Sequence, residues 1–82
     1  MTVRLSELQV GQVGTVRVVD DQAPADVIAR RLRELGFVAG EPVRMLARGP
    51  IGREPLLVQV GFTRFALRGS EAARVRVEVH AA

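Results

Sequence analysis

The chain has 82 residues, enough to close around one hydrophobic core and too few for two, so residues 1–82 are expected to form a single domain. Its hydrophobic fraction is 48% and it holds no cysteine, which excludes disulfides and a thiolate metal site and fits a reducing, cytoplasmic setting. All 12 basic residues are arginine, set against 9 carboxylates for a net charge of +3, a balance too modest to signal nucleic acid by itself.

The opening MTVRLSELQVG lacks the apolar centre of a signal peptide, and no apolar run approaches the ~18 residues of a membrane helix, so no direct membrane insertion is expected. Leu5-Ser6-Glu7-Leu8 reads as one short helical turn plugging a barrel end, with Gly11 bending the chain into the first strand. That strand, Gly14 to Asp20, carries β-branched residues at Thr15, Val16, Val18 and Val19. Pro24 to Leu35 is the one segment with helical period: Ile28, Leu32 and Leu35 form a stripe, while Asp26, Arg30, Arg33 and Glu34 face away. Pro24 suits the first turn, Gly36 a left-handed C-terminal cap, and Asp26 and Arg30 a favourable pair one turn apart.

The period then becomes two. Val43, Met45 and Ala47 are expected to point inward and Arg44, Leu46 and Arg48 outward. The stretch Gly49-Pro50-Ile51-Gly52-Arg53-Glu54-Pro55 interrupts the pattern, and Leu56, Val58 and Val60 resume it. Gly61, Phe62 and Thr63 mark a hairpin turn, after which Phe65 and Leu67 face inward. Ser70 to Ala73 reads as a helical turn, and Arg74 to His80 closes the barrel with Val75, Val77 and Val79 inside. Gly14, Gly36, Gly40 and Gly52 read as turn glycines. The fold class expected is mainly β: a small SH3-like barrel of about five strands with one amphipathic helix inserted after the first strand. An OB-type barrel is the competitor, and the early position of the helix argues against it.

No catalytic set is legible. There is no cysteine and no tyrosine, and the hydroxyls of Ser6, Thr15, Thr63 and Ser70 all lie far in sequence from His80, the single histidine. No phosphate-binding glycine loop occurs. Glu78 and His80 share a face of the last strand, but two ligands make a poor metal site, so no metal and no cofactor are expected. Arg17, Arg44, Arg48, Arg64, Arg68, Arg74 and Arg76 fall at outward strand positions and raise the alternative of a nucleic-acid-binding barrel. Single-strand binders interleave such charge with aromatic platforms, which this chain lacks, so no nucleic acid is expected. Phe37 and Phe62 are the aromatics least clearly assigned to the core.

Several stretches taken in order resemble the FeoA family: Leu5-Ser6-Glu7-Leu8, the helix end Arg30-Arg31-Leu32-Arg33-Glu34-Leu35-Gly36-Phe37, Gly40 before a strand, Gly49-Pro50-Ile51-Gly52 before Pro55, and Phe65-Ala66-Leu67-Arg68 with Glu71-Ala72. Ala39, where the family often has proline, and Arg53-Glu54, in place of a shorter acidic turn, depart from it. The resemblance implies a non-enzymatic, cytoplasmic accessory protein of bacterial ferrous iron uptake. Its implied partner is the FeoB membrane transporter, which carries a cytosolic GTP-binding region. If contact uses the helix and adjoining loops, Arg30, Arg33, Phe37, Arg53 and Phe62 are the expected partner-binding residues, as charged rim and apolar anchors. Free strand edges also make a weak homo-oligomer an expectation.

Overall fold

The computed structural model describes residues 1–80. Six strands, β1 (Thr2–Arg4), β2 (Val13–Val19), β3 (Pro42–Ile51), β4 (Glu54–Val60), β5 (Thr63–Leu67) and β6 (Val75–Val79), form one sheet in the order β1-β6-β2-β3-β4-β5. Helix α1 (Val27–Leu35) lies between β2 and β3, and the single turn α2 (Gly69–Ala72) between β5 and β6. Every pairing is antiparallel. Strands β6-β2-β3-β4-β5 make the expected SH3-like barrel with its helix after the first barrel strand. The sixth strand is a correction: Thr2–Arg4 pairs with Arg76–Glu78 and extends the sheet beyond β6.

Inward residues from the strands meet Leu5 of the 3-10 turn Leu5–Glu7, Leu8 just after it, and Leu32 of α1 in a single core. Val16, Met45, Leu56, Val58, Val75 and Val77 are all essentially solvent-free, each stabilising the fold by about 1.5–3 kcal/mol relative to exposure. Glu7 and Glu71 accept backbone hydrogen bonds from Arg4 (2.7 Å) and Arg68 (2.8 Å), closing the two short turns at their N-terminal ends.

Helix α1 is shorter than its apolar period suggested. It starts at Val27, because Asp26 has extended backbone and serves as N-cap: its Oδ1 accepts from the amides of Ile28 (3.1 Å) and Ala29 (3.2 Å). Pro24 lies in the preceding turn. Gly36, at φ 118°, ends the helix in the left-handed conformation, as read from the sequence.

Two strand expectations fail for local reasons. The β3–β4 register shifts between Met45 and Ala47, and this bulge inverts the alternation, so Ala47 is exposed and Arg48 turns inward. Gly14 is no turn glycine. It is buried inside β2, where an added Cβ would lie 2.7 Å from the Glu78 carbonyl oxygen of β6, so its missing side chain is what lets these strands approach.

Candidate functional site

Two tight turns flank β4. Ile51 pairs with Glu54 across Gly52 and Arg53, which both have positive φ (61° and 62°), as a type I′ turn requires. Val60 pairs with Thr63 across Gly61 and Phe62, with Gly61 at φ 58° in the first central position, where a type II′ turn wants glycine. The second turn leaves Phe62 fully exposed. Because β4 has seven residues at ~3.3 Å each, the two turns stand about 20 Å apart, at opposite ends of the strand. Arg53 and Phe62 therefore do not form one patch.

The remaining expected contact residues separate further. Phe37 is 1% exposed, with its ring centroid 5.6 Å from that of Phe65. It is a core residue and offers no surface, which corrects its assignment as an anchor. Arg33 is committed to its own fold, donating to the Val19 carbonyl (2.7 Å) and to Asp21 (3.1 Å). Arg30 is exposed on α1 and takes part in none of the ion pairs among the described residues.

The arginines expected outward also divide. Arg74 is instead buried: its side chain is 10% exposed and its Nε donates to Oδ2 of Asp26 (2.8 Å), itself 5% exposed, while its guanidinium also donates to the Ser70 carbonyl. Asp26 thus pairs with Arg74, 48 residues away, and not with Arg30. The bond from Arg74, joined by amide bonds from Gln22 and Ala29, holds the Asp26 carboxyl far below the usual range. Arg48 reaches back to donate to the carbonyls of Ser6 (2.6 Å) and Leu8 (2.9 Å), tying the plug turn to β3. Asp20 accepts from Arg4 and Arg76, which lower its pKa. Arg44, Arg64 and Arg68 take no part in the ion pairs of the described residues.

At the chain end, Glu78 accepts from the N-terminal ammonium and from Thr2, and Arg17 lies 3.6 Å away, so its carboxyl is held low. His80 and Thr15, distant in sequence, meet in space with Nε2 and Oγ1 2.6 Å apart. Among the described residues no group of three or more His, Cys, Asp or Glu side chains is placed to hold a metal ion. Among the described residues no helix is long and apolar enough to cross a membrane.

Two surface depressions stand out. One, of about 550 Å³, runs between α1 and the β5 edge and is lined by Val27, Ile28, Leu35 and Phe65, with Arg31 and Glu71 beside them. The other, of about 430 Å³, lies on the outer face of β3, β4 and β5 and is lined by Arg44, Leu46, Gln59, Gly61 and Arg64. Sequence reasoning missed this grouping because it depends on register across three strands.

None of the curated proteins compared with the chain matches it. Among solved structures, FeoA of Stenotrophomonas maltophilia complexed with zinc, described as a prokaryotic SH3-domain protein and proposed as a bacterial ferrous iron transport activating factor, is 64% identical. The match covers 93% of this chain and 89% of that one, with a TM-score of 0.87. A further FeoA, described as an iron uptake regulatory protein, is 31% identical over 98% of this chain and 99% of its own, with a TM-score of 0.77. A manganese-dependent transcriptional repressor, 21% identical with a TM-score of 0.81, shares the fold over 96% of this chain and 37% of its own. The sequence profile of the FeoA domain matches residues 3–79, nearly the whole length, and the chain belongs to the FeoA family.

Proposed function

We propose that this chain is a small cytosolic accessory protein of ferrous iron uptake that binds a cytosolic part of the FeoB transporter and modulates its assembly or activity, with no chemistry of its own. The observation that carries this reading is the 64% identity, over nearly the full length, to a FeoA described as a candidate activating factor of ferrous iron transport. The fully exposed Phe62 on a tight turn supports a binding role, since an aromatic ring held out on a rigid hairpin is the kind of anchor that dominates protein interfaces. Arg30 and Arg53, neither of which takes part in an ion pair among the described residues, would lie on separate surfaces, and of the contact residues named from sequence Phe62 is the one we place at the interface.

The alternative nucleic-acid reading loses support with the arginines it needs. Arg48 and Arg74 turn inward, and Arg17 and Arg76 are paired with carboxylates. Calorimetric titration of the chain into the soluble cytosolic region of FeoB from the same organism, with and without guanine nucleotide, tests the proposal. Saturable binding, weakened about tenfold or more by Phe62→Ala, is expected. Absence of saturable heat at sub-millimolar concentrations refutes it.

A further inference from the structure

The β3–β4 register sets Arg44 directly opposite Gln59, and the β4–β5 register sets Gln59 directly opposite Arg64. Cross-strand partners share a face, so the three side chains form one row over the sheet. At ~4.8 Å per strand, the two arginines stand about 10 Å apart with the amide between them. Val13 of β2 continues the row on the Arg44 side. Gln59 is tied down, its Nε2 donating to the Gly61 carbonyl at 3.2 Å, which links the row to the turn that carries Phe62.

Charge sets this row apart. The ion pairs of the described residues use Arg4, Arg17, Arg33, Arg74, Arg76 and the N-terminus, leaving Arg44 and Arg64 without a carboxylate within 4 Å. The Glu41 carboxylate approaches the turn at Gly61, and among the described residues it takes part in no ion pair with either guanidinium. An arginine on an edge strand such as β5 has the ordinary use of discouraging edge-to-edge pairing. Arg44 lies on an interior strand and has no such use.

We propose that the row Arg44-Gln59-Arg64, together with Phe62, docks an acidic segment of another protein: a stretch bearing two carboxylates spaced to meet both guanidiniums and an apolar side chain to pack on the ring. Arginine binds carboxylates bidentately, and the depression of about 430 Å³, lined by Arg44, Gln59, Gly61 and Arg64, seats the carboxylates, with Phe62 following Gly61 in the turn at its rim. A nucleic acid fits less well, because two cations neutralise only two phosphates and Phe62 offers a single stacking platform. The inference goes beyond the transporter reading and does not depend on which protein supplies the segment.

The test is amide chemical-shift mapping on the full isotope-labelled chain. The probe is a synthetic decapeptide with a Glu-Leu-Glu centre and neutral flanks, compared with the same peptide carrying Gln for both Glu and with a short DNA oligonucleotide. Saturable shifts grouped at Arg44, Gln59, Gly61, Phe62 and Arg64 are expected with the acidic peptide alone. Affinity should fall tenfold or more in Arg44→Glu/Arg64→Glu and stay unchanged in Arg30→Glu/Arg31→Glu, which has the same net charge. Arg44→Gln/Arg64→Gln serves if the charge reversal fails to fold. The proposal is overturned by no shifts at the row up to millimolar peptide, by an equal response to the Gln peptide, or by equal loss in the helix variant. Tighter occupation of the row by DNA than by peptide overturns it as well and assigns the row to nucleic acid.

Discussion

Replacing Phe37 and Phe62 separately by alanine distinguishes a core plug from a surface anchor. Phe37 is buried to 1% exposure and stacks at a tilt on Phe65, so its truncation removes the transfer free energy of the ring and leaves a cavity, together about 3–5 kcal/mol. A domain of this length has a total stability of roughly 4–12 kcal/mol, so Phe37→Ala consumes a large share of it. At 4–8 °C per kcal/mol the thermal midpoint falls by roughly 12–40 °C. Phe62 touches nothing that its loss would expose, and Phe62→Ala is expected within about 0.5 kcal/mol of the parent. Urea unfolding followed by far-ultraviolet circular dichroism measures both, with unchanged slope and, at about 1 kcal/mol per molar, a midpoint for Phe37→Ala lower by about 3 M or more. A Phe37→Ala cost under about 1 kcal/mol, or a Phe62→Ala cost above it, refutes this division of the two aromatics.

Gly14→Ala should destabilise by about 1–3 kcal/mol, since the new methyl meets the Glu78 carbonyl, a backbone group that cannot swing aside; a neutral result in thermal melts means β2 and β6 part easily. Arg48→Met keeps the stem but leaves the Ser6 and Leu8 carbonyls without their donor, at a cost of about 1–3 kcal/mol, and Arg48→Lys should recover part of it in the same melts. Asp20, Asp26 and Glu78 are all held below their usual pKa in the fold, chiefly by hydrogen bonds from Arg4, Arg74 and the N-terminal ammonium. Their stabilisation is therefore complete above the unfolded carboxylate value of about 4 and drains away as pH falls through the lower folded values. Urea midpoints should be flat from about pH 5 to 8 and drop in acid, with a shallower acid slope in Asp26→Asn; an unchanged slope in that variant refutes the role given to Asp26.

What the sequence determined by itself was whatever a short window of residues decides. The alternation of Leu56, Val58 and Val60 allows only one buried face, Gly36 could end the helix because no side chain opposes a left-handed backbone, and Gly61-Phe62 between two β runs is a hairpin on any reading. The ordered motifs from Leu5 to Glu71 carried the family. Tertiary structure decided what depends on partners distant in the chain. Asp26 pairs with Arg74 and not with the nearby Arg30 because its Oδ1 is taken by the helix amides and its Oδ2 gains more from a buried guanidinium than from an exposed one. Arg48 reversed its face because a bulge in β3, set by pairing with β4, shifted the phase of alternation. The row of Arg44, Gln59 and Arg64 exists only through register, which ties together positions 15 and 20 residues apart that no local pattern connects. Strand Thr2–Arg4 was equally invisible, since three residues carry no period and pair only because β6 leaves an edge for them.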